Sequence, residues 1–123
     1  MSTLLLSAAE LSGDRLGGAL LGELRRRRPA LDAEGCGGPA LRATGAFRSL
    51  AAVESLGGAG LVELLPRLPA ILRARRALRA AIDRRPALCV LVDAPDLHLP
   101  LARRARAAGI PVALLVAPQF WAW

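Results

Sequence analysis

ALCVLVDAPDLHLPLARRARAAGIPVALLV, residues Ala87 to Val116, reads in order as a strand, a loop, a helix and a second strand. Ala87 to Val92 is an unbroken apolar run that stops at Asp93. Such a run, too short for a helix and lacking polar alternation, fits a strand covered on both faces. From about Leu97 to Ala108 the spacing turns helical and stops at Gly109, and Ile110 to Val116 is apolar again. A strand that returns to its own sheet through a helix runs parallel to the first, by a right-handed crossover.

The alternation continues toward the amino terminus. Thr3 to Ser7 is a short apolar run, read as the first buried strand. Leu16, Leu20, Leu21 and Leu24 then recur at helical spacing opposite Arg15, Glu23 and Arg26, until Pro29 ends the pattern. Leu31 to Gly35 is read as a second strand before the breaker-rich GCGGP, Pro39 to Thr44 as a short helix or turn, and Phe47 to Leu50 as a third strand. Val53 to Leu65 mixes glycines with apolar residues, and each glycine costs a helix about 1 kcal/mol, so a mobile or specially packed segment is expected there. Leu68 to Arg85 is a helix with Ile71, Leu72, Leu78 and Ile82 on one face, Arg73, Arg76 and Arg79 on others, and Pro86 at its end. The pattern predicts an α/β fold: a parallel sheet with helices on both faces. Ligands of such sheets bind outside the carboxyl ends of the strands.

A length of 123 residues fits one domain. With 54% hydrophobic and 22% charged residues the chain is too apolar for disorder, and Glu54, Glu63 and Arg67 interrupt its best membrane-span candidate. The opening MSTLLLSAAELSGD lacks the basic start of a secretory leader. All 17 basic residues are Arg and the net charge is +7, which suits phosphate-bearing partners but equally the solvated faces of helices. No aromatic residues interleave the Arg runs, so nucleic acid is disfavoured against an anionic membrane surface. Cys36 and Cys89 have no metal-type spacing, and Cys89 sits in an apolar run where a buried thiol is the usual outcome; a reducing, cytoplasmic setting is expected, and no cofactor is called for.

The strand-end loops to inspect are Ser7 to Asp14, Gly35 to Pro39, Asp93 to Asp96 and Ala117 to Trp123. In SAAELSGD, the residues Ser12, Gly13 and Asp14 stand where a strand passes into a helix, a place that favours polar ligands. The loop lacks the G-x-G-x-x-G spacing of a dinucleotide site. Ser12 capping the helix, with Asp14 at the positive end of its dipole, accounts for both residues without a ligand, whereas Glu10 has no capping task. Asp93 closes a buried strand, where partial desolvation lifts a carboxylate toward the range of a general base. Asp96 precedes a helix and is a natural N-cap. His98, the only histidine, has no ligand set around it and reads as structural. The tail QFWAW gathers both tryptophans at the terminus, and the helix expected after the last strand is lacking, so a truncated chain is expected.

Together these residues resemble the lipid-A-disaccharide synthase family, inverting glycosyltransferases of the two-domain GT-B architecture. The resemblance runs from near Leu4 to Trp123 and rests on Ala9-Glu10-Leu11-Ser12-Gly13-Asp14 with Gly17, on Gly37-Gly38-Pro39, on Gly60-Leu61-Val62-Glu63 followed by Pro66-Arg67-Leu68, on Asp93 to Asp96, and on Trp121 to Trp123. It implies the Rossmann-like amino-terminal half of that architecture, with a five-stranded sheet of order 3-2-1-4-5 and the carboxyl-terminal nucleotide-sugar domain absent. It further implies transfer of a diacylglucosamine from its UDP derivative to a 2,3-diacylglucosamine 1-phosphate acceptor, giving a β-1,6 disaccharide and UDP without a metal. Asp93 would be the base on the acceptor hydroxyl. Glu10, Ser12, Gly13, Asp14, Gly38 and Asp96 would bind substrate, and Gly60, Leu61, Val62, Leu64 and Leu65 would meet acyl chains on the cytoplasmic face of the bacterial inner membrane.

The chain departs from the family pattern at His98, where Asn is usual, at Ala117 and Gln119 around Pro118, and at Leu114 and Leu115. These changes leave the acceptor open, so a transferase acting on another lipid-linked sugar is one alternative reading. A non-catalytic Rossmann-like domain that binds a nucleotide or a partner is another.

Overall fold

The computed structural model describes residues 3–56 and 68–115. In chain order these form β1 (Thr3–Ala8), α1 (Leu11–Arg27), β2 (Asp32–Gly37), α2 (Pro39–Arg42), β3 (Phe47–Ala52), a 3₁₀ turn (Val53–Ser55), α3 (Leu68–Asp83), β4 (Leu88–Val92), α4 (Pro95–Ala107) and β5 (Val112–Leu115). The sheet has five strands in the order β3-β2-β1-β4-β5, and all four pairings are parallel. This is the α/β, Rossmann-like arrangement expected from the sequence.

Alternation along the central strands divides the core in two. Leu5, Cys89 and Leu91 point to a layer packed under α3 and α4 with Leu78, Ile82 and Leu101. Leu4, Leu6, Val90 and Val92 point the other way, to Leu21 and Leu41 of α1 and α2. Strands β1 and β4 are buried on both faces, which is why they read as continuous apolar runs. The approach at Gly13 is close: a Cβ there would stand 3.2 Å from Val92 Cγ1 and 3.3 Å from Ala8 Cβ, so a larger residue would press the first turn of α1 against the ends of β1 and β4.

Several boundaries moved for identifiable reasons. Strand β2 runs on through the glycines to Gly37, past the expected end at Gly35, because β3 pairs with it as far as Gly37 with a register shift between Gly35 and Cys36. Helix α4 begins at Pro95 rather than near Leu97, with proline in the first turn where its missing N–H costs nothing. Helix α1 begins at Leu11, so Glu10 and not Ser12 holds the N-cap position. The expected acyl-contact residues Gly60, Leu61, Val62, Leu64 and Leu65 lie outside the described residues, as do Ala117 to Trp123.

Candidate functional site

Ala8 of β1 pairs with Val92 of β4, so the first loop and the fourth-strand loop leave the sheet side by side. Here opens a cleft of about 700 Å³. Glu10, Asp93, Asp96 and Arg75 line it beside apolar Leu56, Leu68, Ile71, Leu97, Leu99 and Leu114. Three carboxylates thus face a mostly aliphatic hollow at the carboxyl edge of the sheet. Arg75 brings a cation from α3, and its Nε is buried without a hydrogen-bond partner among the described residues.

The fourth-strand loop is held in an unusual backbone conformation. Asp93 has φ +49° and Ala94 φ +45°, two successive non-glycine residues in the left-handed region. Each costs on the order of 1 kcal/mol or more. Contacts on every side fix the turn: Asp93 N donates to Leu115 O at 2.7 Å, and Leu97 N and His98 N both donate to Ala94 O, at 3.1 and 2.9 Å. Ala94 occupies the N-cap position of α4 without a side-chain cap. Asp96 lies inside the first turn and is exposed, so the expected N-cap role is not the one it has; its charge faces the helix dipole instead.

His98 is buried, with relative exposure of 1%, and both ring nitrogens are engaged. Nδ1 lies 2.8 Å from the carbonyl oxygen of Asp93 and Nε2 lies 2.9 Å from Oγ of Ser7, itself fully buried on β1. A carbonyl only accepts, so Nδ1 carries the proton and Nε2 accepts from the Ser7 hydroxyl. Burial holds the imidazole pKa below its ordinary value, against the opposing pull of the hydrogen bond to the Asp93 backbone and of the Asp93 charge.

The first loop is built differently. Asp14 is 1% exposed, and its carboxylate accepts three amides from the distant turn into α2: Oδ1 from Gly38 N at 2.7 Å and Leu41 N at 3.0 Å, and Oδ2 from Ala40 N at 2.8 Å. A Cβ at Gly38 would stand 2.9 Å from this carboxylate. Asp14 therefore caps α2 as well as lying in the first turn of its own helix, and the pair Asp14–Gly38 forms a buried latch between α1 and the β2–α2 turn. Ser12 is exposed, and Gly13 is buried against β4. Of the expected site residues, then, Glu10, Asp93 and Asp96 come together in the cleft; Asp14 and Gly38 meet each other behind it. Ser7 and Arg75 carried no sequence signal that marked them: Ser7 looked like the end of a strand, and Arg75 was one of a run of arginines.

The two thiols are chemically quiet. Burial pushes Cys36 up to about 12, with Asp14 and Glu54 adding repulsion, and burial alone pushes Cys89 up to about 11. Among the described residues no group of three or more His, Cys, Asp or Glu is placed to hold a metal ion. None of the described helices is long and apolar enough to cross a membrane.

The family model for lipid-A-disaccharide synthetase matches residues 4–123. The chain belongs to this family. It is 48% identical over 121 residues to a lipid-A-disaccharide synthase of Anaeromyxobacter dehalogenans, covering 98% of this chain and 31% of the relative. A synthase of Solibacter usitatus is 44% identical over 124 residues, covering 100% and 32%, and one of Myxococcus xanthus is 42% identical over 121 residues, covering 98% and 31%. The chain thus spans about a third of the length of the relatives it matches.

Proposed function

We propose that this chain is the amino-terminal, acceptor-side portion of a lipid A disaccharide-forming glycosyltransferase of the GT-B architecture. The complete enzyme would transfer a diacylglucosamine from its UDP derivative to 2,3-diacylglucosamine 1-phosphate. The observation that carries the reading is the cleft at the carboxyl ends of β1 and β4, in a member of the lipid-A-disaccharide synthetase family. Its composition suits an acylated sugar: carboxylates to accept hydrogen bonds from ring hydroxyls, aliphatic side chains to cover the first methylenes of the acyl groups.

In this reading Asp93 takes the proton from the acceptor hydroxyl as that oxygen bonds to the anomeric carbon, and UDP departs with the electron pair of the broken glycosidic bond. Glu10 and Asp96 orient the acceptor by its remaining hydroxyls. The segment with Gly60, Leu61, Val62, Leu64 and Leu65 would lie against the acyl chains at an anionic membrane surface. Exposed Leu68 and Leu72 on α3, beside exposed Arg73, Arg76 and Arg79, support that orientation by pairing apolar area with positive charge. Most contacts to UDP would come from a second domain.

The test is Asp93→Asn in a complete transferase carrying this segment. Asn keeps the shape and loses the basicity, so turnover should fall by about 10² to 10⁴-fold with acceptor binding retained. Retention of most of the rate would remove Asp93 as the base.

A further inference from the structure

We propose that Ser7 and His98 form a buried clamp that positions the Asp93 carboxylate, making His98 a positioning residue for the reaction proposed above. The inference rests on that reading of Asp93. Its own grounds are geometric. The Asp93–Ala94 turn is left-handed at two successive non-glycine residues, one of them an alanine, and main-chain bonds to β5 and to the first turn of α4 fix it. His98 holds the Asp93 carbonyl through Nδ1 at 2.8 Å. His98 in turn cannot rotate, because Nε2 is fixed at 2.9 Å by Ser7 on β1, the strand beside β4. The line Ser7, His98, Asp93 therefore ties the loop to the middle of the sheet. Rotation of the peptide after Asp93 would break the part-buried Nδ1–H bond and leave the ring donor of a buried histidine without its acceptor.

The hold on Asp93 needs a donor at the Nδ1 position, the contact with Ser7 fixes the ring that carries it, and the two parts can be separated. Asn places its amide nitrogen where Nδ1 stands; Gln places its own near Nε2. In the complete transferase, His98→Gln should lower kcat by about 10-fold or more with KM for the acceptor little changed, since misplacing a reacting group by about 1 Å costs up to about 10²-fold. His98→Asn should keep kcat within about 3-fold of wild type, well short of the loss expected from such a misplacement. A side chain that merely fills the core predicts the reverse order or no order, because Gln is closer to histidine in reach and volume. Thermal unfolding of both variants accompanies the kinetics, so that a fall in folded fraction is not read as a fall in kcat.

A second readout does not depend on turnover. The imidazole nitrogen resonances of His98 are assigned in the same protein by their loss in His98→Gln. A neutral ring protonated at Nδ1 near pH 7 is expected; a charged ring, or one protonated at Nε2, overturns the clamp. Equal kcat for His98→Asn and His98→Gln beside a severe Asp93→Asn also overturns it while leaving the base in place. An active Asp93→Asn instead removes the base, and the tautomer then decides the clamp alone.

Discussion

Asp14 and Asp93 stand at the same edge of one sheet, each just beyond a buried strand, and the protein uses them in opposite ways. Asp14 is sealed in, its carboxylate accepting three amides from the turn into α2. Asp93 is half-buried, faces the cleft, and sits on a backbone turn that is costly to maintain. Asp14, sealed under three amides of its own protein, has a structural task; Asp93, at a cleft wall on a strained turn, is the carboxylate proposed above as the base. Burial and backbone setting, rather than residue type, separate the two.

The largest expected effect would set the two apart. Asp93→Asn should cost about 10² to 10⁴-fold in turnover and leave stability nearly unchanged. Asp14→Ala should do the converse: three amides lose a charged acceptor in a buried place, and unfolding by denaturant should show a loss of about 3 kcal/mol. If Asp14→Ala unfolded at the wild-type denaturant midpoint, the latch would have no energetic meaning and the contrast would fail.

A smaller change sharpens the comparison from the other side. Ala94→Gly removes the steric penalty of the left-handed conformation at the N-cap of α4. Stability should rise by about 0.5 to 1 kcal/mol despite the greater freedom of glycine in the unfolded chain. Turnover should not rise with it. A loss of stability in this variant would show that the turn is not strained.

The fold was legible because its two central strands and its long helices are each apolar in a single unmistakable pattern. Ala87 to Val92 has no other home than the middle of a parallel sheet, and the helix from Leu68 reads directly from its leucine and isoleucine spacing. What was not legible depends on contacts between distant residues. The carboxylate of Asp14 meets Gly38, Ala40 and Leu41 only because β2 delivers the turn into α2 to the start of α1. Nothing in the sequence near Asp14 reports that. The left-handed turn at Asp93 and Ala94 was hidden because alanine does not mark such a conformation as glycine would. His98 read as structural for want of a ligand set; its two partners are 91 and 5 residues away in the chain, and only the fold puts them on either side of one ring.

The imidazole also gives the fourth-strand loop a pH signature. Burial lowers the folded pKa of His98 below the value of 6.5 expected in the unfolded chain. As pH falls through about 6.5 the unfolded chain binds a proton that the folded chain refuses, so stability declines, with a slope of at most about 1.4 kcal/mol per pH unit, until the folded pKa is reached. Above about 6.5 the contribution is complete. Stability measured between pH 7 and about 5, above the ordinary range of carboxylates, should show this slope in the wild type and a flatter line in His98→Gln. Equal slopes would mean that the buried ring takes up its proton in the folded state.

Asp96→Asn should give the smallest effect, and it is the control for the whole comparison. Asp96 shares the cleft and the loop with Asp93, carries the same charge, and differs in being exposed and in lying within the first turn of α4. Its structural contribution is attraction to the positive end of the helix, about 0.3 to 1 kcal/mol in an exposed position and weaker in high salt. Its proposed part in catalysis is a hydrogen bond to a sugar hydroxyl, which an amide oxygen also accepts. Stability should therefore drop by a few tenths of a kcal/mol, by less as salt is added, and the acceptor KM should move more than kcat. A fall in kcat as deep as that of Asp93→Asn would exchange the roles of the two carboxylates. It would also show that the strained turn serves to carry Asp96, rather than Asp93, to the reacting hydroxyl.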